Sequence, residues 1–336
     1  MTCVENINKF IVPNDVIASI ATIYKYIGKN EIYSEIAKSD ADRIYLQTIE
    51  KDTYYLSKLV ELDVTDARLR LIVMKNSEAR NREERVLSNI KDVISTFQRN
   101  PKRQNLSSMD LNNIINFIYT NQNIKYDALK EEYKNIYKPV TVGSKRKVID
   151  DLYKALSKLE KGSVEGLIIL SNYIVDIYAI KPFTAKNDTL LYLLLYLMLL
   201  QADIEALKYQ SFFELIYKNK DKFLDRLNEA CYNYYEGFPQ ILPFIRLLTS
   251  LIIELYIQVD SNMLEYKKEQ DSYKAENIEK TVLNLPNIFT KDDVRKYHPY
   301  VSESTINRAL TKLREENIIK PLSKGRGAKW IKIGLK

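Results

Sequence analysis

Ile180-Lys181-Pro182-Phe183-Thr184-Ala185-Lys186-Asn187-Asp188-Thr189 joins two strongly apolar segments, residues 164–180 and 189–200. Both segments read as core helices, so the ten residues between them form a loop at one end of a buried pair. Lys181 has an ordinary pKa of about 10.4 and stays charged unless deeply desolvated. It can hold a phosphate as a point charge but is a poor proton acceptor at neutral pH. Asp188 places a negative charge where a helix dipole would otherwise attract an anion, and it is expected to cap a helix beginning at Thr189. On that reading an anion binds poorly here. The opposing reading keeps Lys181 and Lys186 as anion holders.

The loop resembles the signature of the Fic family, H-P-F-x-[DE]-G-N-G-R-x-x-R. Pro182, Phe183 and Asn187 match it. Lys181 stands at the histidine, Ala185 at the acid, Lys186 and Asp188 at the glycines, and Thr189 and Tyr192 at the arginines. Residues 164–174 resemble the family helix that enters the loop, and residues 191–197 the helix that leaves it. The likeness runs over about residues 137–251. It implies a Fic-type helical core, an activity of AMP transfer from ATP to protein hydroxyls, and Mg²⁺ and ATP as cofactors. The replacements imply that this activity is impaired, with no intact catalytic residue, no metal site and no cofactor. Ala185 offers no oxygen to a cation that wants six. Weak nucleotide contacts would fall to Lys181, Lys186 and Asn187. An altered but active nucleotidyl transferase is the alternative.

Some Fic relatives carry an inhibitory helix with the pattern [ST]-x-x-x-E-[GN]. The comparable stretch is residues 75–87. Taking Glu84 as the acid leaves Arg80 and Arg85 at the flanking positions, so the pattern is incomplete. A solvated helix face explains the mixed charges equally well.

Only 8 Gly and 9 Pro punctuate 336 residues, and apolar residues recur at three- and four-residue spacing. The chain therefore reads as mostly α. Cys3 and Cys231 lack metal-ligand spacing and read as reduced thiols of a cytoplasmic protein. The start has no basic segment followed by an apolar run, so no signal peptide is expected. The longest apolar run, 190–200, is too short to span a bilayer, and no membrane partner is expected.

The net charge of +7 is localised. Residues 285–336 hold 12 Lys or Arg against 5 Asp or Glu, while the other 284 residues are balanced. From Asn317 onward there are six basic residues and no acid. Such segregation points to a polyanion partner.

Four regions follow: an N-terminal helical region (1–135), a Fic-like core (136–259), a charged helical linker (260–284) and a basic C-terminal domain (285–336). Helices are expected over 44–62, 90–97, 109–120, 212–230 and 244–259. Residues 137–143 are β-rich, and the resemblance implies a small hairpin flap there that holds a protein partner by strand addition. The C-terminal domain resembles a winged helix-turn-helix. Thr290 to Asp293 reads as a capping box and Ser302 as an N-cap. Ile306, Leu310 and Leu313 point inward, and strands are expected over 318–322 and 329–333, joined by a wing at 323–327. DNA is the expected partner. Ser304, Asn307, Arg308 and Lys312 would contact bases or phosphates, while Lys324, Arg326 and Lys329 would contact phosphates. A wing that contacts protein is the alternative. His298 reads as a turn residue and Trp330 as packing. The core could also serve as a homodimerisation or sensing scaffold.

Overall fold

The computed structural model describes residues 2–9, 11–129, 144–162, 164–298, 301, 303–322 and 328–333. Two compact units divide the chain, Met1–Val259 and Asp260–Lys336. The first is helical: α1 (Cys3–Asn6), α2 (Asn14–Ile27), α3 (Asn30–Ala37), α4 (Ala41–Leu59), α5 (Asp66–Lys75), α6 (Arg82–Arg99), α7 (Ser108–Ile118), α8 (Arg146–Leu159), α9 (Gly166–Ile180), α10 (Asn187–Gln201), α11 (Phe212–Lys218) and α12 (Lys220–Ala230). α13 (Leu242–Asn284) begins in the first unit, and its last turns belong to the second.

α9 and α10 form the centre. Every residue of α10 from Thr189 to Leu200 is buried. A helix apolar on all sides must be surrounded by others, and this pair is packed by its neighbours on every face. Buried acids then tie distant segments together. Asp52 on α4 is wholly buried and accepts from Tyr196 Oη (2.9 Å), Ser211 Oγ (2.6 Å) and the Phe213 amide (3.0 Å). Burial outweighs these donors and pushes its pKa up to about 7. Asp176 on α9 accepts from the amides of Cys3 (2.7 Å) and Val4 (2.9 Å) and from Tyr234 Oη (2.7 Å). It therefore anchors α1 by its free N–H groups. Cys3 and Cys231 are free thiols, and burial raises both well above the neutral range.

Several local expectations hold and some shift. The helix expected over 109–120 is α7, which a capping box between Ser107 and Asp110 starts one residue earlier. The helix expected over 212–230 is broken at Asn219 into α11 and α12. The helix expected over 244–259 does not stop there but continues unbroken to Asn284. Within it, residues Leu242–Lys268 are long and apolar enough to cross a membrane by length and composition alone. Phe244, Ile245, Leu248, Ile252 and Leu255 of that stretch are buried in the protein.

The second unit adds β1 (Ile288–Thr290), α14 (Lys291–Tyr297), α15 (Glu303–Glu315), β2 (Ile319–Pro321) and β3 (Lys329–Lys332). The strands form one antiparallel sheet in the order β1-β3-β2. Thr290 and Asp293 make the expected capping box of α14. Ile306, Leu310 and Leu313 face the core, with Ala309, and meet Ile278 and Val282 from the end of α13. Trp330 packs in this core beside Phe289, its antiparallel partner. His298 ends α14 and bonds Thr281 Oγ1 at 2.7 Å through Nε2. The sequence reading lacked β1, whose three residues are too few to show alternation.

Candidate functional site

The loop between α9 and α10 is built by interrupting one helix and restarting another. α9 ends at Lys181, which takes a left-handed conformation (φ 48°) and donates its amide to Ile177 O at 3.1 Å. Pro182 cannot continue the helix. The chain then runs extended beside residues 125–127. Asp127 N donates to Pro182 O, and Thr184 N donates to Lys125 O, each at 2.9 Å. Phe183 turns inward, 2 % exposed, with its ring 4.5 Å from that of Tyr126.

Asn187 closes the loop. Its Oδ1 accepts from Phe183 N (2.9 Å) and its Nδ2 donates to Phe183 O (2.8 Å). Lys186 precedes α10 in a left-handed conformation (φ 62°), with Nζ 5.3 Å from the centre of the Tyr119 ring. α10 starts at Asn187, two residues before the expected Thr189. Asp188 therefore lies inside the first turn and makes no cap; Lys186 is the N-cap and gives no side-chain hydrogen bond. Thr189 and Tyr192, at the positions the resemblance gives to arginine, face inward. Thr189 Oγ1 lies 2.6 Å from Tyr119 Oη. Tyr192, 2 % exposed, packs between Phe213 and Phe223. Ala185 is exposed.

Lys145 was not singled out by the sequence. Its side chain is 7 % exposed, and its Nζ bridges Lys181 O (3.0 Å) and Asp127 Oδ2 (3.1 Å). A lone lysine between Ser144 and Arg146 carries no periodic signal of such a role. Lys181 itself is exposed, with Nζ 5.8 Å from the centre of the Tyr178 ring. It lines two clefts. One, about 380 Å³, also includes Asp127, Lys145, Asn187 and Tyr235. The other, about 340 Å³, includes Asp188, Tyr192 and the ion pair of Glu61 with Lys220. Among the described residues, no group of three or more His, Cys, Asp or Glu gathers to hold a metal ion.

Glu84, placed at the start of the helix compared with the inhibitory pattern, faces elsewhere. Both its oxygens meet Arg68 (2.8 and 2.7 Å), and one also accepts the Arg80 amide (2.7 Å). The Arg68 guanidinium holds its pKa down to about 2.

In the second unit, Ser304 and Arg308 lie exposed on the first turns of α15. Asn307 is half-buried, and its Oδ1 is shielded from solvent with no described partner. Lys312 is held by Glu279, with Nζ 2.8 and 3.1 Å from its oxygens. Lys329 is exposed on β3. Ser302, Lys324 and Arg326, the wing expected at 323–327 and the flap expected at 137–143 lie outside the described residues. Lys332, one of the six basic residues of the tail, turns inward. It donates to Leu283 O (2.6 Å) and to Leu285 O, satisfying carbonyls where α13 ends. Arg308, Arg314 and Lys320 are exposed, and no described acid pairs with them.

No protein-family model matches the chain, and no curated protein matches it. Solved structures do. A Fic family protein from Desulfovibrio desulfuricans G20 matches with a TM-score of 0.59 at 12% identity, over 97% of this chain and 98% of that one. A Fic domain containing signaling protein from Bacteroides thetaiotaomicron VPI-5482 matches with a TM-score of 0.54 at 13% identity, over 74% and 98%. At these identities the likeness concerns backbone architecture. The chain is a mostly α protein with the Fic fold.

Proposed function

We propose that this is a catalytically impaired Fic-fold protein that binds DNA through a winged helix in its second unit, the core acting as scaffold or sensor. One observation carries the first half: the loop spends its polar groups on itself. Asn187 is bonded twice to Phe183, and Thr189 and Tyr192 are turned into the core. Lys181 is a weak base at neutral pH. The residues present do not fit a magnesium triphosphate, since Ala185 offers no ligand and Lys186 and Asp188 add side chains at the start of α10. In this reading the protein needs no cofactor.

The second half rests on charge and order of elements. The strand-helix-helix-strand-strand sequence, with β3 between β1 and β2, suits a winged helix. α15 would enter the major groove and the tail would hold phosphates. Lys312 contributes less than its neighbours in this reading, because Glu279 already neutralises it.

The test is a titration of labelled duplex DNA with the full chain at several salt concentrations. Binding that falls steeply with salt is expected. Replacing Arg308 with Ala should alter sequence preference by about 1–3 kcal/mol if it makes a bidentate base contact. In parallel, labelled ATP with Mg²⁺ and candidate target proteins should give no labelled product. A labelled product would favour the transferase, with Lys181 between its two clefts as the group to mutate first.

A further inference from the structure

The three-stranded sheet of the second unit has two faces, and both are largely apolar. Along β3, Trp330 and Lys332 turn inward, while Lys329, Ile331 and Ile333 alternate to the other side. Register carries the same division across the neighbouring strands. Phe289 pairs with Trp330, and Ile319 with Lys332, on the buried face. Ile288 and Lys320 both pair with Ile331 on the outer face. Leu322, whose amide donates to Lys329 O at 2.8 Å, extends that outer face. Ile288 is 52 % exposed, Leu322 49 % and Ile333 40 %. Neither these three nor Ile331 belong to the core that Phe289, Trp330 and α15 build.

A sheet covered on one side normally reads apolar inward and polar outward. Strand preference does not account for the departure, since threonine suits a strand much as isoleucine does and leaves the surface polar. Nor does the core, which closes on the opposite face. An exposed apolar cluster of this kind marks a contact surface. Its charge is one-sided as well. Lys320 and Lys329 stand exposed on the same face, and none of the three strands contains an acid. Asp293, which follows β1 closely, is spent on Thr290 and Lys296.

We propose that this outer face binds an acidic amphipathic helix of a partner protein. The helix lays its apolar stripe over Ile288, Ile331 and Ile333, and its flanks bring carboxylates to Lys320 and Lys329. A helix is an ordinary cover for the apolar face of a sheet, whereas an added strand needs a free edge. The dimensions agree. Three strands span about 10 Å, and Lys329 to Ile333 spans about 13 Å. A helix is about 10 Å across, and 13 Å of it is roughly nine residues, enough for anchors at i, i+4 and i+7. Charge selects the occupant. A second copy of the chain, packed face on face about a two-fold axis, would set lysines against lysines. A phosphate backbone gains nothing from the isoleucines, and α15 packs on the buried side of the sheet. The proposal does not depend on DNA binding.

The test is a fluorescence-polarisation titration of the full chain against a labelled synthetic helical peptide with Leu at i, i+4 and i+7 and Glu on both flanks. The controls are the same peptide with Lys in place of Glu, and one of identical composition in scrambled order. The glutamate peptide is expected to bind at least tenfold more tightly than either control. The double variant Ile288→Thr, Ile333→Thr keeps strand-forming residues and should weaken that binding at least tenfold. Lys320→Glu should weaken the glutamate peptide and strengthen the lysine peptide, a reversal that loss of folding cannot produce. Equal affinity for the three peptides, unchanged affinity in the isoleucine variant, or absence of binding overturns the proposal. Two further results also overturn it. Loss, in the isoleucine variant, of DNA binding that the parent shows would assign the face to DNA. A dimer of the parent that the same variant dissociates would assign it to a second copy.

Discussion

The loop at 180–189 and the basic tail at 317–336 are both rich in charge for their length, yet they treat it in opposite ways. In the loop, Lys145 is drawn between Asp127 and Lys181 O, Asn187 is bonded to its own turn, and Thr189 meets Tyr119. Polar groups there hold one backbone shape. In the second unit, Lys332 alone among the described basic residues of the tail is turned inward, while Lys320 and Lys329 stay at the surface. A polar group satisfied within the protein has little left for a ligand, because displacing its partner costs as much as the ligand returns. The two regions therefore differ: the loop turns its polar groups on its own shape, and the tail keeps two lysines at the surface.

That division can be broken first at the tail. Lys324→Ala, Arg326→Ala, Lys329→Ala should weaken binding to all DNA sequences alike and flatten the salt dependence by roughly 0.9 in log–log slope for each phosphate left without its cation. Equal affinity of variant and parent at low salt moves the second unit to a protein-binding role.

The next largest effect tests whether the core tolerates its buried charge. Asp52 has a folded pKa of about 7 against an ordinary 3.8. The folded state binds the proton more tightly, so this stabilisation is complete below about pH 4 and is lost as pH rises through 7. The shift corresponds to about 4 kcal/mol. Thermal melts should show stability declining between about pH 4 and 7, and Asp52→Asn should flatten that decline. A decline of the same steepness in the variant assigns it to other groups, Asp176 first, whose pKa is raised to about 6.

Lys145→Ala sharpens the contrast at the loop itself. It leaves Lys181 O and the half-exposed Asp127 without their cation, a loss of about 1–3 kcal/mol in denaturant melts. Lys220→Ala, which removes an exposed pair with Glu61, should cost less than about 1 kcal/mol. The smallest expected effect is none: Lys181→His alone should not give AMP transfer, because Ala185, Lys186 and Asp188 remain. Product from that single change would show that the rest of the loop is still competent.

Much of this was legible in the sequence for definite reasons. The all-round apolar runs at 164–180 and 189–200 could only be core helices. Thr290 with Asp293 announced a helix start through local hydrogen bonding. What stayed hidden depends on contacts far apart in the chain. Asp52 and Asp176 look like solvated acids until Ser211, Phe213, Cys3 and Val4 fold against them. Lys312 reads as a free cation until the fold brings Glu279 beside it. The restart of α10 at Asn187, ahead of the expected Thr189, follows from the left-handed turn at Lys186, which no propensity signals for lysine.

The extended pairing of residues 125–127 with Pro182 to Thr184 has a consequence for measurement. Its two amides, Asp127 N and Thr184 N, belong to opposite strands and are protected by the same short ladder. They should exchange with deuterium together, at a rate set by how often the ladder opens. Slow, matched exchange would time the opening of the loop directly, with no ligand, label or activity required.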